Sequence, residues 1–163
     1  MTAALIIIDE DDPARIAALL SRHRGATASG RVVIEGRSYG PGDVEALAGL
    51  DRQGATRGSL TFAMEDGLCR LVTLISDDPR DGAGTALVAH LMVLARSRGA
   101  AKLRVTVTND QTEALRFFQK RGARMVAAFP GAVTAARAAF PDLPEKGFDG
   151  LPIRDEIALE WTL

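Results

Sequence analysis

From Leu68 to Gly122 the chain changes its hydrophobic period in an order that restricts the fold more than any other feature. Leu68 to Ile75 is a mostly apolar run bounded by the turn Glu65-Asp66-Gly67 and by Ser76; with Ser59 to Met64 before the turn, it predicts a β-hairpin. A loop, Asp77 to Gly84, follows. Thr85 to Arg98 then carries Leu87, Val88, Leu91, Leu94 and Ala95 at helical spacing and stops at Gly99. Lys102 to Thr108 alternates polar residues with Leu103, Val105 and Val107, and Thr112 to Arg121 is a second helical stretch closed by Gly122. Strands and helices in this order predict an α/β or α+β sheet with helices on both faces.

The flanks are less regular. Ala4 to Ile8 suits a strand, and Pro13 after two aspartates is placed to open a helix with Ile16, Leu19 and Leu20 on its apolar face. From Gly25 to Arg57, Gly, Ser and Pro break up short apolar pieces such as Val32 to Ile34 and Ala46 to Leu50, and no structure is assigned. After Gly122 the pattern predicts a strand from Arg124 to Phe129, a short helix from Ala132 to Ala139, a Pro/Gly-bearing loop and a last strand from Ile153 to Trp161.

Composition narrows the class. The 163 residues, 47% of them hydrophobic, are enough for one domain, 1–163, with its own core. A net charge of -1 with scattered basic residues argues against a nucleic-acid partner. The run Ala3 to Ile8 is followed at once by Asp9 to Asp12, which reads as a strand and not as a signal peptide. No segment approaches the roughly 20 apolar residues of a membrane span, and the single Cys69 cannot form an internal disulfide. The expectation is a cytoplasmic protein.

The chemistry concentrates at Arg80-Asp81-Gly82-Ala83-Gly84-Thr85, between an apolar strand and an amphipathic helix. The glycines allow a tight turn and close backbone approach, and the free N–H groups and positive dipole end of the helix point to the same spot. A phosphate or pyrophosphate fits such a loop; so does an ordinary strand-to-helix connection. Gly84 is followed by Thr85 with no lysine near, which argues against a nucleoside triphosphate loop. Leu87 stands where a dinucleotide fingerprint needs a third glycine.

A second block, Asn109 to Ala123, follows the alternating strand. Together the two blocks resemble the signatures of the GNAT superfamily of N-acetyltransferases, Gln/Arg-x-x-Gly-x-Gly/Ala and Asn-x-x-Ala-x-x-Phe-Tyr-x-x-x-Gly-Phe. The matches are Gly82, Gly84, Ala114, Phe117 and Gly122, with Gln111 at the asparagine position. The resemblance covers Leu60 to the C terminus, and Gly150 to Ile157 is similar to the tail of a bacterial subgroup. It implies a GNAT-type acyltransferase fold, a mixed and mostly antiparallel sheet splayed near its middle, with acetyl-coenzyme A as cofactor and no metal. By the same resemblance, Leu74 and Ile75 offer backbone groups to the pantetheine arm and Arg80, Asp81, Gly82, Ala83, Gly84 and Thr85 hold the pyrophosphate. Asn109 or Gln111 contacts the cofactor, Phe118 lies near its thiol end, and Phe117 reads as core packing. Arg116 and Lys120, four apart on one helix, are candidates to steer the 3′-phosphate. The implied partner is a small-molecule amine, with a homodimer open.

The departures bear on catalysis. Pro79 stands where Gln or Arg is expected, Asp81 adds a carboxylate beside the anion site, Ala123 replaces an aromatic residue, and Phe118 replaces the tyrosine that protonates the departing thiolate. Arg70 stands where the subgroup carries an acid. An amine must lose a proton before it attacks, and the substitute bases are His23, Glu65, Asp155 and Glu156. Cys69, with no histidine near in sequence, reads as a packed residue. No catalytic residue is assigned. Three readings follow: an N-acetyltransferase acting by direct transfer, a non-catalytic acyl-coenzyme A-binding module that keeps the fold without the acid-base groups, or, on the glycine loop alone, a nucleotide-binding regulatory domain.

Overall fold

The computed structural model describes residues 4–163; Ala3, the first residue of the N-terminal apolar run, lies outside them. The elements are β1 (Ile6–Glu10), α1 (Pro13–Arg22), β2 (Val32–Ile34), β3 (Arg37–Tyr39), β4 (Glu45–Leu50), β5 (Thr56–Glu65), β6 (Leu68–Ser76), α2 (Ala83–Ser97), β7 (Lys102–Thr108), α3 (Thr112–Lys120), β8 (Arg124–Phe129), α4 (Ala132–Ala136) and β9 (Glu156–Thr162). Seven strands form one sheet in the order β1-β4-β5-β6-β7-β9-β8, and β2 and β3 form a separate hairpin. Only β6 and β7 pair in parallel; every other neighbouring pair in the large sheet is antiparallel. This is the mixed, mostly antiparallel sheet that the family resemblance implies.

The start of α1 has a local cause: Asp12 caps it by accepting the Ala14 amide at 2.9 Å, and Pro13 occupies the first turn, where no amide donor is needed. Its apolar residues Ile16 and Leu19 pack on Ala46, while α2 sets Leu87 and Leu91 among Leu47 and Leu60. Ala46 and Leu47 are consecutive in β4, so their side chains point to opposite faces and the two helices cover opposite sides of the sheet. Helix α3 joins α2 on its side through Phe118.

The unassigned stretch from Gly25 to Arg57 holds real structure. It contains the β2–β3 hairpin, β4 and the first residues of β5. Strand β4 lies between β1 and β5 and is buried over most of its length, so it lacks the polar alternation that marks a half-exposed strand. Helix α2 begins at Ala83, two residues before the predicted Thr85, because Gly82 takes a left-handed conformation (φ 82°) that turns the chain into the helix. Ala83, Gly84 and Thr85 therefore form its first turn, not a loop. The last strand starts at Glu156 and not at Ile153, and α4 ends at Ala136. Among the described residues no helix is long and apolar enough to cross a membrane.

Candidate active site

The site begins where two parallel strands stop pairing. β6 and β7 are in register from Leu68↔Lys102 to Leu71↔Val105, and beyond that both continue, to Ser76 and Thr108, without pairing each other. The separation begins at an irregularity in β6: Thr61 pairs with Thr73 and Phe62 with Leu71, which leaves Val72 as an extra residue. A bulge bends the strand that carries it and increases its twist. The wedge is a cavity of about 640 Å³ walled by Leu71 to Ser76, Val105 to Val107, the first turn of α3 and the end of α1.

The free edge of β6 has a definite polarity. The Asp77 amide donates to the Arg57 carbonyl at 3.0 Å, which places Asp77 on the β5 side. By strand alternation Ile75 also faces β5, and Leu74 and Ser76 direct their backbone groups into the wedge. Leu74 thus has amide and carbonyl free for a ligand running along the strand. Ile75, expected to share that role, has its backbone turned the other way, although it lines the cavity.

At the outer end of the wedge stands the first turn of α2. An added Cβ on Gly84 would lie 3.7 Å from Leu74 Cδ2, so this turn abuts the cavity wall, and 3.2 Å from Phe117 Cζ, so α3 needs the glycine in order to pack here. Helix geometry leaves the Ala83, Gly84 and Thr85 amides without intrahelical acceptors. Asp81 Oδ1 accepts the Ala83 amide at 2.9 Å, and its other oxygen lies 3.5 Å from Arg57 Nε. Two amides and the positive helix end then remain for an anion. The Arg80 side chain is 93% exposed beside Asp78 and does not enclose the site. Arg121, which the motifs do not single out, reaches the first turn of α2: it donates from Nε and Nη2 to Thr85 Oγ1 at 2.9 and 2.6 Å, and its guanidinium carbon lies 3.5 Å from the Phe117 ring centre. In the sequence it reads only as a basic helix end.

The second block divides its work. Gln111 lines the cavity and accepts the Thr108 amide at 3.0 Å. Asn109, a candidate cofactor contact, instead clamps the C-terminal segment, accepting the Arg154 and Asp155 amides at 2.8 and 3.0 Å and donating to the Pro152 carbonyl at 2.8 Å. Its carbonyl oxygen accepts two bonds within the protein and one of its two N–H groups is used. Phe118 is a core residue, 4% exposed, packed edge-to-face with Phe117 and Trp161 at centroid distances of 5.2 and 5.8 Å, and it contributes to the cavity wall. Phe117, read as core, is only half-buried and supports Arg121. Arg116 and Lys120 are exposed.

Of the four substitute bases, only His23 lines the cavity. It caps the C-terminal end of α1, and burial pushes its pKa down to about 4 against the opposing pull of the Asp110 carboxylate. Asp110 is itself buried, accepting the Thr108 hydroxyl at 2.5 Å and the Phe148 amide at 3.1 Å. Asp155 accepts the Gly131 amide at 2.8 Å, and Glu65 accepts the Tyr39 hydroxyl at 2.5 Å and pairs with Arg37 and Arg70. Glu156 is buried, accepts the Glu35 amide at 3.0 Å, and has its pKa raised by burial. Tyr39 is buried and its pKa is pushed up to about 12 by burial and by Glu65. Burial likewise pushes the Cys69 thiol up to about 12, which suits a packed residue.

Behind the cavity lies a polar floor. Glu35, at the tip of the β2–β3 hairpin, binds Arg70 at 2.6 Å, Arg104, and the Thr106 hydroxyl at 3.3 Å, and Arg104 continues to Glu160 at 3.0 Å. Arg70, which replaces an expected acid, is thereby committed to this network.

Comparison with known proteins agrees with this architecture. Residues 80–123, from the α2 turn to the end of the second block, match the family model described as acetyltransferase (GNAT) family. A 115-residue stretch is 33% identical to the uncharacterized protein YdhI of Bacillus subtilis (strain 168), covering 71% of this chain and 72% of that one. An IAA acetyltransferase from Bacillus cereus ATCC 14579 superimposes with a TM-score of 0.74 at 17% identity, over 98% of this chain and 100% of the other. A Bacillus subtilis acetyltransferase in complex with CoA gives 0.71 at 16% identity, over 98% and 99%. At these identities the structural likeness speaks for the fold.

Proposed function

Because the chain belongs to the GNAT acetyltransferase family, we propose that it transfers an acetyl group from acetyl-coenzyme A to a small-molecule amine held at the α1 side of the cavity. The observation that carries this reading is the separation of β6 from β7 beyond Leu71↔Val105, which leaves the Leu74 backbone free beside the first turn of α2. The residues fit the cofactor: Leu74 would pair with the pantetheine amides as a strand does, and the Gly84 and Thr85 amides would hold the diphosphate. Acetyl-coenzyme A supplies an activated thioester carbonyl. An inward-facing β6 amide beyond the Val72 bulge would polarise that carbonyl. His23, neutral at pH 7, would accept a proton from the amine directly or through water.

A second reading, a non-catalytic acyl-coenzyme A-binding module, is favoured by one observation. Phe118, at the position where the family motif carries tyrosine, offers no hydroxyl to the cavity. Calorimetric titration with acetyl-coenzyme A, followed by a thiol-release assay over a panel of amines, tests both. Binding with turnover supports the enzyme, binding without turnover on any amine supports the module, and no binding refutes both.

A further inference from the structure

We infer that Arg121, at the end of α3, is the side chain that binds the coenzyme A diphosphate, in the place that Pro79 and the outward-turned Arg80 leave without a donor. The inference rests on the cofactor reading above and extends it to a residue that neither signature block specifies.

Three features support it. The guanidinium is held on both sides, over the Phe117 ring at 3.5 Å and against the first turn of α2 through Thr85 Oγ1, with Nη1 donating to the Phe117 carbonyl at 2.8 Å. Its position is therefore set before any ligand arrives. All these partners are neutral, whereas Arg70 and Arg104 each meet carboxylates. Of the five N–H donors of a guanidinium, these contacts engage three, and the two left over form a fork suited to phosphate oxygens.

The electrostatics point the same way. Burial lowers the Arg121 pKa, with no neighbouring carboxylate to offset it. The positive end of α2 lies against the same hydroxyl, so two like charges are gathered at Thr85. An anion placed between them would be attracted by both. Its hydrogen bonds and ring contact hold the guanidinium in the free fold, and the unused fork adds strength to the complex alone.

The test is titration of wild type, Arg121→Met and Arg121→Lys with coenzyme A and with dephospho-coenzyme A, alongside ligand-free melting temperatures. Loss of a charge-assisted pair predicts that Arg121→Met binds coenzyme A about ten- to a hundredfold more weakly. Dephospho-coenzyme A should weaken by the same factor, because the diphosphate is common to both ligands. The ligand-free Arg121→Met protein should melt somewhat lower for the loss of these contacts yet remain folded, and Arg121→Lys should bind with intermediate strength. If Arg121→Met does not fold, intermediate binding by Arg121→Lys at an unchanged melting temperature carries the support. Binding by every folded variant within twofold of wild type overturns the inference. So does a loss confined to coenzyme A, which would assign Arg121 to the 3′-phosphate. In each of these cases wild-type binding leaves the cofactor reading standing; failure of wild type to bind removes both.

Discussion

Asp81 Oδ1 accepts the Ala83 amide at 2.9 Å, so a carboxylate of the chain already occupies one of the three donors that the first turn of α2 offers to an anion. A like charge at a partly exposed position opposes a bound diphosphate by about 1 kcal/mol. Asp81→Asn keeps an oxygen for the Ala83 amide and removes the charge. Its affinity for coenzyme A is expected to rise about fivefold at low ionic strength, with the gain shrinking as salt is added. Calorimetry at two salt concentrations measures this; equal affinities at low salt would mean that Arg57, 3.5 Å from Asp81 Oδ2, already neutralises it.

If the proposed transfer operates, Phe118 leaves it without the tyrosine hydroxyl of the family motif. Positioned proton transfer contributes about 100- to 10,000-fold in rate, and phenylalanine cannot donate. Phe118→Tyr is expected to raise thiol release by ~100-fold where the new hydroxyl reaches the cavity that the ring lines. An unchanged rate in a folded variant that still binds acetyl-coenzyme A would assign the proton to another group.

His23 makes stability depend on pH. Its pKa is about 4 in the folded protein and 6.5 when unperturbed, so between these values the unfolded chain binds the extra proton. Stability is therefore complete above pH 6.5 and falls as pH drops toward 4, by at most about 3 kcal/mol, less what cavity water screens. Urea melts from pH 4 to 8 should show this slope in wild type and a reduced slope in His23→Gln. Identical slopes would place the imidazole in contact with solvent.

Glu35 joins the β2–β3 hairpin to the sheet. Burial alone would raise its pKa, but hydrogen bonds from Arg104 and Arg70 prevail and hold it below the usual carboxylate range. Its contribution is thus present above the ordinary pKa of about 4.5 and is lost as pH falls below it. Glu35→Gln leaves the buried Arg70 and the half-buried Arg104 short of charge and is expected to cost about 3 kcal/mol, or roughly 10 °C in Tm. Glu45→Gln, which breaks an exposed pair with Arg98, should cost less than about 1 kcal/mol. Similar melting temperatures for the two variants would refute the asymmetry.

The sequence by itself determined the order of elements from β5 to β8 and the two turns that flank the cofactor site. These depend on neighbours a few residues apart: the spacing of Leu87, Val88 and Leu91, the alternation of Leu103, Val105 and Val107, and glycines such as Gly82, Gly99 and Gly122, whose φ values are positive. Tertiary structure alone decided the rest. β4 is a strand because β1 and β5 lie on either side of it, and the three-residue strands β2 and β3 are too short for a period to appear. Asn109 became a clamp through partners more than forty residues away, and Arg121 met Thr85 across 36 positions because Gly84 lets α3 approach α2. Local periodicity records which face of an element is apolar; it carries no information about which distant polar groups that element will meet, and in this protein those meetings assemble the site.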